Sequence, residues 1–123
     1  MKPLLLVFLG GGLGSSLRYA VGKYLNTDLS SFPYGTFVAN ILGSLLIGVL
    51  LGVAAKNDSI SQNTMLLLAT GFCGGFTTFS TFAYENHAFL KNGDFGLFSL
   101  YTIGSFVVGF GAVFFGIWVA KFF

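Results

Sequence analysis

Four apolar runs, each about the length needed to cross a bilayer core of roughly 30 Å, constrain this 123-residue chain more than any other feature. They cover residues of about 4–25, 34–55, 63–90 and 95–121. Between them stand short polar segments of loop chemistry: Asn26 to Pro33, then Lys56, Asn57, Asp58 and Ser59, then Lys91 to Asp94. The runs use nearly the whole chain, so residues 1–123 read as a single four-helix transmembrane domain, all-α in class. Composition agrees, with 8% charged residues against a usual ~25% and 54% hydrophobic ones. A net charge of +2 offers no polyanion-sized patch, which excludes a nucleic-acid partner and leaves the lipid bilayer as the chain's surroundings. Lys2 followed by Leu4 to Leu9 has the look of a signal peptide. Three further spans follow, and Arg18 and Lys23 end the first run as flanking charges do, so it reads as a retained helix.

Loop charges leave orientation undecided. One side carries Lys2, Lys56 and Lys121; the other carries Arg18, Lys23 and Lys91. A balance of three against three suits a chain that inserts both ways, and so permits an antiparallel, dual-topology homodimer. Orientation by a partner is the other reading. Small residues recur four apart: Gly10 and Gly14, Ala39 and Gly43, Ser44 and Gly48, Gly48 and Gly52, Ser105 and Gly109. Such pairs let backbones approach in lipid, within one chain or between two.

The third span is irregular. Its middle reads GFCGGFTTFSTF from Gly71 to Phe82, and paired glycines followed by β-branched and aromatic residues make poor helix. A break within this stretch, which holds Gly74, Gly75, Thr77 and Thr78, is expected near mid-membrane, where freed carbonyls must be buried in protein or line a polar cavity. Such carbonyls ligate cations, and in an antiparallel dimer two breaks would meet on the two-fold axis. A glycine kink patched by threonine hydroxyls is the plainer alternative.

Beyond the break, Phe79 and Phe82 share a helical face, with Ser80 and Thr81 between them. Positive ring edges beside hydroxyl donors suit a small anion without a fixed positive charge. On the second span, Asn40 is a lone amide with Thr36 one turn earlier. It could serve an anion or join helices as polar glue. Arg18 near the end of the first span reads as a snorkelling anchor. Glu85, one turn beyond Phe82, reads as lying toward a mouth. With one His and one Cys, no triad or metal set can be assembled within a chain, so no catalysis is expected.

GFCGGFTTFSTF, with GTFVANILGS from Gly35 to Ser44 and GGGLGSSLRY from Gly10 to Tyr19, resembles the Fluc (CrcB) fluoride channel family over all four spans. The resemblance implies an antiparallel homodimer in the cytoplasmic (inner) membrane, with two pores and passive, selective fluoride export. It also implies a structural Na⁺ at the dimer centre, held by the carbonyls of Gly74 and Thr77. Phe79 and Phe82 match its fluoride-coordinating rings and Asn40 its pore amide. Ser80 and Thr81 match its hydroxyl track, with Tyr101 and Ser105 on the pore side; Thr36, one turn before Asn40, is read as a further pore candidate. Arg18 and Glu85 resemble vestibule residues. Gly109 stands where some relatives carry a further hydroxyl, which puts that end of the track in doubt. The competing class is a small dual-topology, proton-coupled multidrug exporter, for which Glu85 is the candidate intramembrane carboxylate. A structural assembly subunit without flux is the third.

Overall fold

A computed structural model describes residues 1–56 and 60–123; the expected loop residues Asn57, Asp58 and Ser59 lie outside the described residues. The described chain is helical, and four segments are long and apolar enough to cross a membrane: Lys2–Leu25, Tyr34–Lys56, Gln62–Lys91 and Phe95–Ala120. The first two are α1 and α2. The third span is composite: α3 (Gln62–Met65), a π-helical stretch (Leu66–Cys73), a single turn α4 (Gly74–Phe76), then α5 (Phe79–Lys91). The last is α6 (Phe95–Ala120).

Helix limits follow local chemistry. Pro3 occupies the first turn of α1, where a missing N–H costs nothing. Ser61 Oγ accepts Thr64 N–H at 3.1 Å to start α3, and Asp94 Oδ1 accepts Leu97 N–H at 3.1 Å to start α6. Between α5 and α6 the chain reverses at Gly93, whose φ of 74° is a left-handed conformation that favours glycine.

Two parallel helix pairs build the bundle. Along α2 and α6 the close approaches keep the same order: Phe37 with Gly104, Ile41 with Gly109, Leu45 with Gly116, Gly52 with Ala120. At Gly116 a Cβ would lie 2.8 Å from the Val49 nitrogen, so only glycine lets these backbones touch. Likewise α1 packs on the π-helical stretch and α4, and a Cβ at Gly14 would lie 2.8 Å from the Phe76 nitrogen. Gly10, Gly14, Gly48 and Gly52 therefore serve packing within the chain. Lys56 closes the α2–α6 pair, its Nζ donating to the carbonyls of Ala120 (3.2 Å), Lys121 (3.0 Å) and Phe123.

The third span breaks near its middle, as expected. Gly74 is helical (φ −62°, ψ −37°), whereas Thr77 (−90°, 156°) and Thr78 (−150°, 121°) are extended. The break thus falls inside the expected stretch, at its threonines and not at its paired glycines. Extended backbone suits β-branched threonine, and Gly75 is needed instead for contact, a Cβ there lying 3.0 Å from the Gly11 carbonyl carbon. Buried residues form two clusters on either side of this level: Leu50, Ala69 and Cys73 on one, and Phe82, Phe89 and Tyr101 on the other.

Candidate functional site

At the break, side chains take over what the helix gives up. Helical continuation would give the Thr78 N–H to the Gly74 carbonyl; it goes instead to Asn40 Oδ1 at 2.7 Å. Asn40 Nδ2 donates to the Thr78 carbonyl at 3.2 Å, so one amide clamps both polar groups of the extended residue. Thr78 caps α5, its Oγ1 accepting the Thr81 N–H at 3.2 Å that would otherwise go to the Thr77 carbonyl. Both Gly74 and Thr77 thereby lose their helical donors. The Gly75 carbonyl is met from α1, by Arg18 Nε at 3.0 Å and Ser15 Oγ at 3.4 Å. Arg18 thus turns inward to the break, and does not reach out to the interface as its position near the span end suggested. An orphan carbonyl at membrane depth is strong enough bait for that.

Beside the break opens a cavity of about 470 Å³, lined at the level of the extended residues by Asn40, Thr77, Thr78, Phe79, Phe82 and Ser105. Gly74 and Gly109 also reach its wall, and no Lys, Arg, Asp or Glu does among the described residues. Phe79 and Phe82 meet with ring centroids 5.9 Å apart. They differ in exposure: Phe82 is 8% exposed and Phe79 73%. Ser105 Oγ is buried without a hydrogen-bond partner. The N-terminus of α5 faces this level, and its free first-turn N–H groups and dipole favour negative charge. The surroundings therefore supply neutral donors and aromatic rings, whose positive edges suit a small anion.

The remaining predicted residues lie elsewhere. Ser80 and Thr81 do not line the cavity; each hydroxyl sits 3.3 Å from Thr78 Oγ1. Thr36, Glu85 and Tyr101 form a separate polar cluster on the far side of Phe82. Tyr101 OH donates to Glu85 Oε1 at 2.7 Å and Thr36 Oγ1 donates to Glu85 Oε2 at 2.8 Å. Phe82, on the cavity wall, packs against Tyr101 of this cluster with ring centroids 4.9 Å apart. Glu85 is 5% exposed, yet it also floors a second pocket of about 160 Å³ walled by Asn26, Thr27, Asp28, Leu29, Ser31, Pro33 and Phe89. Ser30 and Ser31 hydrogen bonds hold the Asp28 carboxyl below its ordinary range. The sequence reading missed Asn26. Its signal was an asparagine between the end of one span and the start of the next, where helix caps are found.

Residues 5–117 match the family described as CrcB-like protein, Camphor Resistance (CrcB). Curated relatives carry the name fluoride-specific ion channel FluC. One from Gloeothece citriformis is 52% identical over 122 residues, covering 98% of both chains. Another from Phocaeicola vulgatus is 47% identical, covering 98% of this chain and all of its own. A third, from Leptospira interrogans, is 46% identical over 98% of this chain and 95% of its own. With a neutral, aromatic-edged cavity at a mid-membrane helix break and full-length likeness of this order, the chain belongs to the CrcB (FluC) family.

Proposed function

We infer that the protein is a passive, fluoride-selective channel that lets the anion leave the cell across the cytoplasmic membrane. The observation that carries this reading is the composition of the cavity wall: Asn40, Ser105, Phe79 and Phe82, with no charged side chain among the described residues. Fluoride is small and tightly hydrated, so its shell must be exchanged for donors along the path. Neutral donors and ring edges can do this without trapping the ion, because conduction needs binding weak enough for release. The relatives' shared name, fluoride-specific ion channel, supports the same assignment. An interior negative by 100 mV drives a monovalent anion outward by about 2.3 kcal/mol without a pump.

The working unit of this reading is an antiparallel homodimer with two pores. Phe79, Ser80 and Gly74 lie exposed at mid-span, and polar backbone at that depth calls for a covering partner. A second copy inserted the other way brings the two breaks together. The Gly74 and Thr77 carbonyls, freed of their helical donors, are hard oxygen ligands of the kind that unwound helices offer Na⁺. They would hold a structural Na⁺, which would neutralise carbonyl dipoles converging from the two chains. In this reading Asn40 and the Phe79–Phe82 pair contact fluoride, with Ser80, Thr81 and Ser105 as neighbouring hydroxyls. Arg18, Thr36, Glu85 and Tyr101 shape the approaches. The exporter alternative finds no support: Glu85 is engaged by two donors and lies outside the large cavity.

Efflux from proteoliposomes loaded with fluoride or chloride, with a potassium ionophore clamping the potential, tests the reading. Fluoride loss with chloride retained is the expected result. Retention of both by folded protein would overturn it.

A further inference from the structure

The Glu85 carboxylate is held by donors whose own direction is set by a residue on the loop. Asn26 Oδ1 accepts the Gly35 N–H at 2.7 Å, at the start of α2. That bond fixes which way the amide faces, so Nδ2 is the atom turned to Thr36 Oγ1, at 3.3 Å. A hydroxyl carries one proton. Because Thr36 accepts from Asn26, its proton points onward to Glu85 Oε2 at 2.8 Å. Tyr101 supplies the second donor, to Oε1. Both carboxylate oxygens are thus engaged from fixed directions, although Glu85 floors a pocket in which it could otherwise turn toward the loop.

We propose that Asn26 is a positioning residue for conduction: by orienting Thr36 it pins the Glu85 carboxylate against Tyr101 and out of the anion's approach through the loop-walled pocket. This rests on the channel reading above. Released from Thr36, the carboxylate can swing into a pocket of about 160 Å³, where its negative charge repels the anion that must pass.

Two substitutions separate this from simpler roles. Asn26→Asp keeps the acceptor that caps Gly35 but replaces the donor to Thr36. Asn26→Ala removes cap and donor without adding charge. Fluoride efflux from proteoliposomes is measured for both beside the unsubstituted protein, with thermal unfolding in detergent as the stability readout. The expected result is roughly five-fold or greater loss of flux in both, with unfolding of Asn26→Asp shifted less than that of Asn26→Ala because the Gly35 cap is kept. Loss confined to Asn26→Ala, tracking lowered stability, would reduce Asn26 to a helix cap and overturn the proposal. Loss confined to Asn26→Asp would make it a simple charge effect, and wild-type flux in both would also overturn it. No fluoride flux from the unsubstituted protein would instead fell the channel reading itself.

Discussion

Asn40 is asked to do two jobs, and replacing it separates them. Asn40→Ala removes the acceptor at 2.7 Å and the donor at 3.2 Å, leaving the Thr78 N–H and carbonyl unpaired at mid-membrane. A buried polar group left without its partner costs about 1–3 kcal/mol, so the loss is about 2–6 kcal/mol. Against a total stability of about 5–15 kcal/mol, that is enough to lower the unfolding temperature markedly. Asn40→Asp behaves differently. The acceptor to the Thr78 N–H is kept, confining the destabilisation to the lost donor, about 1–3 kcal/mol. Its negative charge, however, faces the cavity. An anion within ~4 Å is disfavoured by about 4 kcal/mol at an effective dielectric constant near 20, which lowers its occupancy roughly a thousand-fold. Fluoride efflux from liposomes, normalised to folded protein by size-exclusion chromatography, should therefore fall at least a hundred-fold for Asn40→Asp while the protein stays folded. Wild-type flux from Asn40→Asp, with Asn40→Ala unfolded, would refute the argument: the amide would then be a backbone clamp outside the ion's path.

Phe82→Ile removes a ring packed on Phe79, Tyr101 and Phe106 and is expected to cost about 1–3 kcal/mol, with a folded protein that has lost most fluoride flux; unimpaired flux would remove the ring-edge role. Gly116→Ala places a methyl 2.8 Å from the Val49 nitrogen and should destabilise the α2–α6 pair by about 1–3 kcal/mol, while Gly12→Ala, with nothing within 4 Å, should leave thermal unfolding unchanged or slightly raised. Mapping each terminus in cells by accessibility labelling should find both orientations in comparable amounts, and a single orientation would remove the antiparallel dimer. Exchanging Na⁺ for a bulkier cation throughout purification should lower the thermal stability of the wild-type protein, whereas insensitivity would count against the Gly74 and Thr77 carbonyl site.

The spans could be read from the sequence because lipid imposes a simple rule, that each crossing satisfies its own backbone and presents apolar side chains. That rule needs no tertiary information, and the helices Lys2–Leu25, Tyr34–Lys56 and Phe95–Ala120 start and stop within a few residues of the apolar runs. The motif around Phe79 and Phe82 was legible for a related reason. Adjacent glycines, threonines and phenylalanines are a poor way to build a helix, so their presence at mid-span demanded a purpose. Where the helix breaks was another matter. Propensity marked the stretch from Gly71 to Phe82 without choosing among its residues, whereas in the fold Gly75 lies against the Gly11 backbone and Asn40 rewards an extended Thr78 with two hydrogen bonds. Those partners are 38 and more residues away in sequence, and no local rule contains them.

The same limit divided the polar residues. Asn40, Ser105, Phe79 and Phe82 converge on one cavity, whereas Thr36 and Tyr101 pair with Glu85 and Ser80 and Thr81 gather at the α5 cap. Residue type told that each could donate a hydrogen bond; only packing decided to whom. Arg18 shows the difference most plainly, its chemistry predicting a reach toward water and the bundle supplying a nearer unpaired carbonyl at Gly75. Membrane crossing, neutrality and the anion-suited residue set were determined by the sequence alone, because they depend on composition and spacing. Which carbonyls are freed, which donors are taken and which ring is left exposed were decided by the tertiary structure, because each hydrogen bond in lipid goes to whichever partner the fold brings within reach.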